Sequence, residues 1–172
     1  MAAADPALIL NAGSSSLKAR LLDLEGQVLW QGQCAWSMWA DADAVLHEWL
    51  LPALGPDLES ITLVGHRVVH GGERFLAPTQ LTPAVLAELR DLVPLAPLHN
   101  GPSLRLMDAL AAWRPQWAQW ACFDTAFHRT LPKEARTYAL PQAWRQQGLR
   151  RFGFHGLNHQ HISEVEIGRA HV

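Results

Sequence analysis

The feature that most constrains this chain is its opening, where Ala7-Leu8-Ile9-Leu10 runs into Asn11-Ala12-Gly13-Ser14-Ser15-Ser16-Leu17-Lys18. Four successive apolar residues read as a buried strand, and the Gly/Ser cluster stops that strand in a turn. Leu17 to Asp23 then alternates loosely, Glu25-Gly26 marks a second turn, and Gln27 to Ala35 interleaves apolar and polar residues. Three strands joined by tight turns, a β-meander, are therefore expected at the start.

Helices and further strands follow. Asp43 to Leu54 places Val45, Leu46, Trp49, Leu50 and Leu54 at helical spacing, and Ser60 to Val69 reads as a strand ending in His70-Gly71-Gly72. Thr82-Pro83 supplies an N-cap and a first helical residue for a helix to about Val93. A helix from Asn100 to Trp113 and a buried strand from Trp120 to Phe123 come next, the strand ending at Asp124. Beyond it the pattern predicts a short strand at Tyr138-Ala139-Leu140, a helix from Pro141 to Gln147 stopped by Gly148, and a strand from Arg151 to Phe154. This order predicts an α/β fold. Residues 1–127 are expected to form a first domain and 128–165 the start of a second.

At 172 residues and 49% hydrophobic content the chain can bury a real core. Lys+Arg 14 against Asp+Glu 16 leaves no basic excess, so neither nucleic acid nor an anionic membrane is expected as a partner. The two cysteines, Cys34 and Cys122, have neither zinc spacing nor the density of a disulfide scaffold. No apolar run approaches the roughly 20 residues of a membrane span, and the start lacks the pattern of a signal peptide. A cytoplasmic protein is the expectation.

Several clusters could carry chemistry. Backbone N–H groups of the Gly13–Ser16 turn could cradle a phosphate, with Ser14 and Ser16 adding hydroxyls and Lys18 a charge; a plain hairpin turn would have the same composition. This is not a Walker A loop, since GK[ST] and a following helix are absent. Arg67, a planar guanidinium on an apolar strand, suits a carboxylate or phosphate. His66 and His70 on the opposite face could ligate a metal or make structural hydrogen bonds. His99 and Asn100 start a helix, which they could cap or leave to face a cleft. Asp124 ends a buried strand, where ligands of α/β sheets sit, and either caps a turn or does chemistry. His155 lies between Phe154 and Gly156 at a strand tip; His155, His159 and His161 invite a zinc reading but lack the glutamate of HExxH. The eight tryptophans read as core and gap filling.

In order and spacing, NAGSSSLK, GHRVVHGGE, LAPLHN, FDTAFH, YALP and RRFGFHG followed by His159 resemble the acetate kinase family, over about Leu8 to Glu164. The resemblance implies a ribonuclease H-like domain of the actin-like and sugar-kinase superfamily with a mixed sheet, followed by the start of a second such domain. It implies reversible, Mg²⁺-dependent phosphoryl transfer between ATP and acetate, giving ADP and acetyl phosphate, in a full-length homodimer. By motif, Asn11 lies near the metal, Ser14, Ser16 and Lys18 near the transferring phosphate, and Arg67 on the acetate carboxylate. Val69, Leu98 and Phe154 match the pocket around the acetate methyl, Asp124 the essential aspartate, His155 the histidine that stabilises the phosphoryl group, and His99 an active-site histidine.

Two other readings stay open: a propionate or butyrate kinase, and a non-catalytic anion- or partner-binding domain of the same fold. Leu157 and Asn158 depart from the small hydroxyl residues usual after GFHG, and Gly101 interrupts the usual run after His99. Family members are substantially longer, and their second domain contributes the adenosine pocket, a further arginine and an acidic metal partner, so this chain alone is expected to be inactive. The last residues, Glu166-Ile167-Gly168-Arg169-Ala170-His171-Val172, back-translate as GAG ATC GGA AGA GCA CAC GTC, which contains a widely used sequencing-adapter sequence. A tail of non-native origin is expected there.

Overall fold

The computed structural model describes residues 5–166, so all but Glu166 of the suspected tail lies outside the described residues. The meander forms as the sequence predicts: β1 (Ala7–Ala12), β2 (Ser16–Leu22) and β3 (Val28–Ala35) pair antiparallel in turn. A continuous helical run follows, made of α1 (Ala42–Val45), a π-helical turn (Leu46–Leu50) and α2 (Leu51–Leu54). Asp41 caps it, its carboxylate accepting from the N–H groups of Asp43 and Ala44 at 3.0 and 3.2 Å.

β4 (Leu63–Val68) inserts parallel to β1, and β6 (Ala118–Phe123) parallel to β4. A two-residue strand that the sequence did not announce, β5 (Thr79–Gln80), closes the far edge antiparallel to β6. The order β3-β2-β1-β4-β6-β5 is thus a mixed sheet of six strands. Between β5 and β6 run α3 (Pro83–Asp91), capped by the Thr82 hydroxyl, and α4 (Pro97–Trp113). α4 begins three residues before the expected Asn100, since Pro97 at its first position has no N–H to satisfy and a preset φ. None of these helices is long and apolar enough to cross a membrane, among the described residues.

Strand alternation sorts the sheet into two faces. Leu8, Leu10, Leu17, Ala19, Leu21 and Val64 point to one side and are buried against Leu46, Leu50, Leu54, Leu106 and Leu110. A second cluster on the same side joins Val68, Ala121 and Phe123 to Phe75, Leu89, Leu104, Met107 and Ala126, with the Phe75 and Phe123 rings stacked at 5.1 Å. The register puts the remaining side chains on the opposite face: Ile9 and Asn11, Lys18 and Arg20, Gly65 and Arg67, Trp120 and Cys122. Ile9 and Trp120 there are each 36% exposed.

After β6 the chain makes short helices only: α5 (Asp124–Phe127), α6 (Lys133–Arg136), α7 (Gln142–Gln146) and α8 (Gly156–His161). Two expectations need correction here, because neither Tyr138–Leu140 nor Arg151–Phe154 is a strand. Neither segment joins the sheet, whose strands are β3-β2-β1-β4-β6-β5, and a strand forms only where a neighbour takes up its backbone groups. Arg151 instead donates its N–H to Arg136 O at 2.8 Å, and Phe152 packs its ring 4.5 Å from that of His70.

Candidate active site

Arg67 sits near the carboxyl end of β4, on the open face. Asp124 follows directly from the end of the neighbouring parallel strand β6, and its side chain is 1% exposed. The two meet. Arg67 donates from Nε and Nη2 to the same carboxylate oxygen, Asp124 Oδ2, at 3.1 and 2.6 Å, and from Nη1 to Asn11 Oδ1 at 3.0 Å. One guanidinium thus ties together β1, β4 and the start of α5. Charge-assisted bonds into a nearly dry carboxylate are the strong kind.

Asp124 Oδ1 accepts the N–H of Leu157, in the first turn of α8, at 3.4 Å. That turn is brought in by backbone geometry. His155, just before α8, has φ 55° and ψ 26°, and no other non-glycine residue among the described ones has a positive φ. Such a backbone costs on the order of 1–2 kcal/mol and is retained where surrounding structure demands it. Gly156 is that demand: a Cβ there would lie 1.8 Å from the carbonyl oxygen of Asp124. Only a glycine lets α8 rest on α5, and the preceding residue then turns its side chain into the cleft.

The cleft of about 430 Å³ that results is lined by Asn11, Arg67, Asp124, His155, Leu157, Asn158 and His161. Asn11, Arg67, Asp124 and His155, to which the motifs assign roles, therefore share one cavity, and His161 joins them. Lys18 faces Asn11 across the β1–β2 pair on the same open face, but lines a neighbouring groove with Arg20, Gln31 and Gln33. Ser14 and Ser16 belong to the turn closed by the Gly13 N–H donating to Ser16 O at 2.9 Å; Ser14 is exposed and neither lines the cleft. Val69 is buried, Leu98 and Phe154 are 53% and 43% exposed, and none of the three is in its lining. His99 is half-buried at the start of α4, with its Nδ1 buried and without a partner among the described residues.

The segment after Arg67 is held by contacts that the sequence did not suggest. Asn100 neither caps α4 nor faces the cleft. Its amide takes the His70 N–H at 3.1 Å and donates to His70 O at 2.8 Å, as a neighbouring strand would. Thr125 Oγ1 accepts from Gly71 N–H at 2.9 Å, and His70 Nδ1 accepts from Gly72 N–H at 3.0 Å, which places the proton of the neutral ring on Nε2. Burial pushes the His70 pKa down. His66, facing the core, lies 2.8 Å from Gln119 Oε1; burial lowers its pKa to about 4, partly offset by that hydrogen bond. Both histidines are accounted for by structural bonds. Among the described residues no group of three His, Cys, Asp or Glu side chains could hold a metal, the run His155, His159, His161 included. Leu157, noted in the sequence only as a departure after GFHG, contributes its backbone N–H to the site, which no side-chain pattern encodes.

Comparison with known proteins places this geometry. The acetokinase family profile matches residues 42–167. An acetate kinase of Thermosynechococcus vestitus is 39% identical over 199 residues, covering 91% of this chain and 48% of that protein. Among solved structures, Porphyromonas gingivalis acetate kinase superposes with a TM-score of 0.81 at 34% identity, over 98% of this chain and 50% of that one. A propionate kinase from Francisella tularensis gives 0.79 at 30% identity, over 93% and 47%. The chain spans about half the length of the curated relatives it matches. Likenesses of this order fix the fold as the ribonuclease H-like α/β type with a mixed sheet that the motifs implied. A family profile over most of the chain, together with relatives about 40% identical over nine-tenths of it, shows that this chain belongs to the acetokinase family.

Proposed function

We propose that this chain is the N-terminal half of an acetate kinase, a cytoplasmic, homodimeric enzyme that transfers a phosphoryl group reversibly from ATP to acetate. The observation that carries the reading is the convergence of Arg67, Asp124, Asn11 and His155 on one cleft at the carboxyl ends of parallel strands. In-line phosphoryl transfer asks little covalent chemistry of the protein, so positioning and charge neutralisation do the catalysis.

Each side chain has a part in this. Arg67 spends one N–H of each Nη group and its Nε on Asp124 and Asn11, leaving a second N–H on each Nη for the acetate carboxylate. Asp124 and Asn11 aim that guanidinium. His155, exposed at the cleft mouth, donates to the equatorial oxygens as charge builds on the phosphoryl group. Ser14 in the first turn and Ser16 and Lys18 at the start of β2 would approach the ATP phosphates, and His99 would act from the start of α4. Asp124 and Asn11 would hold Mg²⁺: this ion takes one or two carboxylates and leaves its remaining positions to phosphate and water, which fits a cleft whose lining has one carboxylate, Asp124, and the amides of Asn11 and Asn158. Bound there, Mg²⁺ would neutralise phosphate charge. Val69, Leu98 and Phe154 would form the wall around the acyl methyl, and these 172 residues, about half the length of the relatives they match, would not turn over by themselves.

Trapping acetyl phosphate as the hydroxamate tests the reading on the full-length enzyme. Wild-type turnover with acetate and a fall of about 100-fold or more in Asp124→Ala are expected; equal rates would remove Asp124 from the mechanism. A propionate kinase is the second reading, favoured by the near-equal likeness to the solved propionate kinase and by the half-open positions of Leu98 and Phe154. Comparing kcat/KM for acetate, propionate and butyrate separates them, and a higher value for propionate would decide for the second.

A further inference from the structure

A second cavity, of about 430 Å³, shares no lining residue with the Arg67 cleft. It is walled by α6, α7 and the turn at Gly148, which bring Lys133, Arg136, Arg145 and Arg150 to one space together with Thr137, Gln142 and Gln146. The only carboxylate in the lining is Glu73, and it is engaged by Arg150. Among the described residues Lys133, Arg136 and Arg145 have no carboxylate partner. Arg150 Nε is buried and has no hydrogen-bond partner, although its guanidinium lies 4.7 Å from the centre of the Phe152 ring.

Four cations line one open groove, where a bound anion would relieve their mutual repulsion, and a chain whose formal net charge is -2 has no general surplus of positive charge to explain the cluster. We propose that this cavity is a binding site for a compact polyanion bearing linked phosphate groups. A single phosphate carries roughly 1.5–2 negative charges at neutral pH and cannot balance a lining with three more cations than carboxylates. A phosphate chain can, with Arg145 and Arg150 gripping it as planar forks and Lys133 as a point charge. The amides of Gln142 and Gln146 and the Thr137 hydroxyl complete the donor set.

The site also adjoins the acyl side of the molecule. Glu73 follows the Gly71-Gly72 turn that Thr125 and His70 hold, and Phe152 packs on His70. A polyanion that draws Arg150 away from Glu73 therefore loosens one contact on the loop next to Arg67.

Isothermal titration of the chain with tripolyphosphate tests the site, with orthophosphate as the control anion and circular dichroism confirming that each variant is folded. Saturable tripolyphosphate binding is expected, weakened about tenfold or more in the double variant Lys133→Gln/Arg145→Gln and unchanged in Arg67→Gln. No binding by the folded wild type overturns the proposal. So does loss in Arg67→Gln with retention in the double variant, which puts the anion in the other cleft. Orthophosphate binding as tightly as tripolyphosphate overturns the claim that linked phosphates are needed.

Discussion

The residue that organises the site is Arg67, and its partners show what a sequence can and cannot disclose. A guanidinium on an apolar strand is conspicuous by itself. That it would be pinned by Asp124, 57 positions away, was not legible, because nothing local to either residue records that β4 and β6 are neighbours. Removing one member of such a pair leaves the other charge without its partner, at a cost of about 3–5 kcal/mol when buried. Asp124→Asn keeps an acceptor and should lose less stability than Asp124→Ala; urea unfolding of both variants ranks them. Gly156→Ala is expected to push α8 off α5, since the added methyl would meet Asp124 O at 1.8 Å and Phe127 Cβ at 2.7 Å. Overpacking of this kind costs about 1–3 kcal/mol, read as a lower Tm.

His66 gives a pH dependence of known sign. Its folded pKa, about 4, lies below the usual 6.5, so the unfolded chain takes up the proton more readily. The contribution is fully present above pH 6.5 and is lost as the pH falls from 6.5 towards 4, by about 3 kcal/mol in all. Unfolding free energies at pH 7.5 and 5 should differ by less in His66→Gln than in wild type. An identical slope in the variant would exclude His66 as its source.

At the scale of elements, the parts read best are those whose signals are local. Thr82-Pro83 starts α3 as expected because a hydroxyl acceptor and a preset φ act within one turn, and the β1–β2–β3 meander follows from short turns between alternating runs. The parts misread depend on distant partners. Arg151–Phe154 has the residues of a strand but is placed away from the sheet, its Arg151 N–H taken by Arg136 O, while Thr79–Gln80 has little strand character and pairs because β6 is beside it. Asn100 was legible as a polar group at a helix start but not as a clamp on a segment 30 residues earlier. Capping supplies the prediction here: Asp41→Ala removes the acceptor for two N–H groups at the head of the first helical run and should cost about 1 kcal/mol, measurable by denaturant unfolding.

For the whole molecule, the decisive fact is that helices dress one face of the sheet and leave Ile9 and Trp120, with the charged side chains, on the other. Val69, Leu98 and Phe154, proposed above as the acyl wall, are not in the lining of the Arg67 cleft. The isolated chain is accordingly expected to bind a hydrophobic dye and to self-associate on size exclusion, through apolar surface left without a partner. A monodisperse monomer with a cooperative melt would contradict that. Among the described residues, every buried side chain of the two clusters lies between Leu8 and Ala126. During synthesis the ribosome therefore releases both clusters once Ala126 clears the exit tunnel. Folding of these two clusters can begin there, before the segment that carries His155 has emerged.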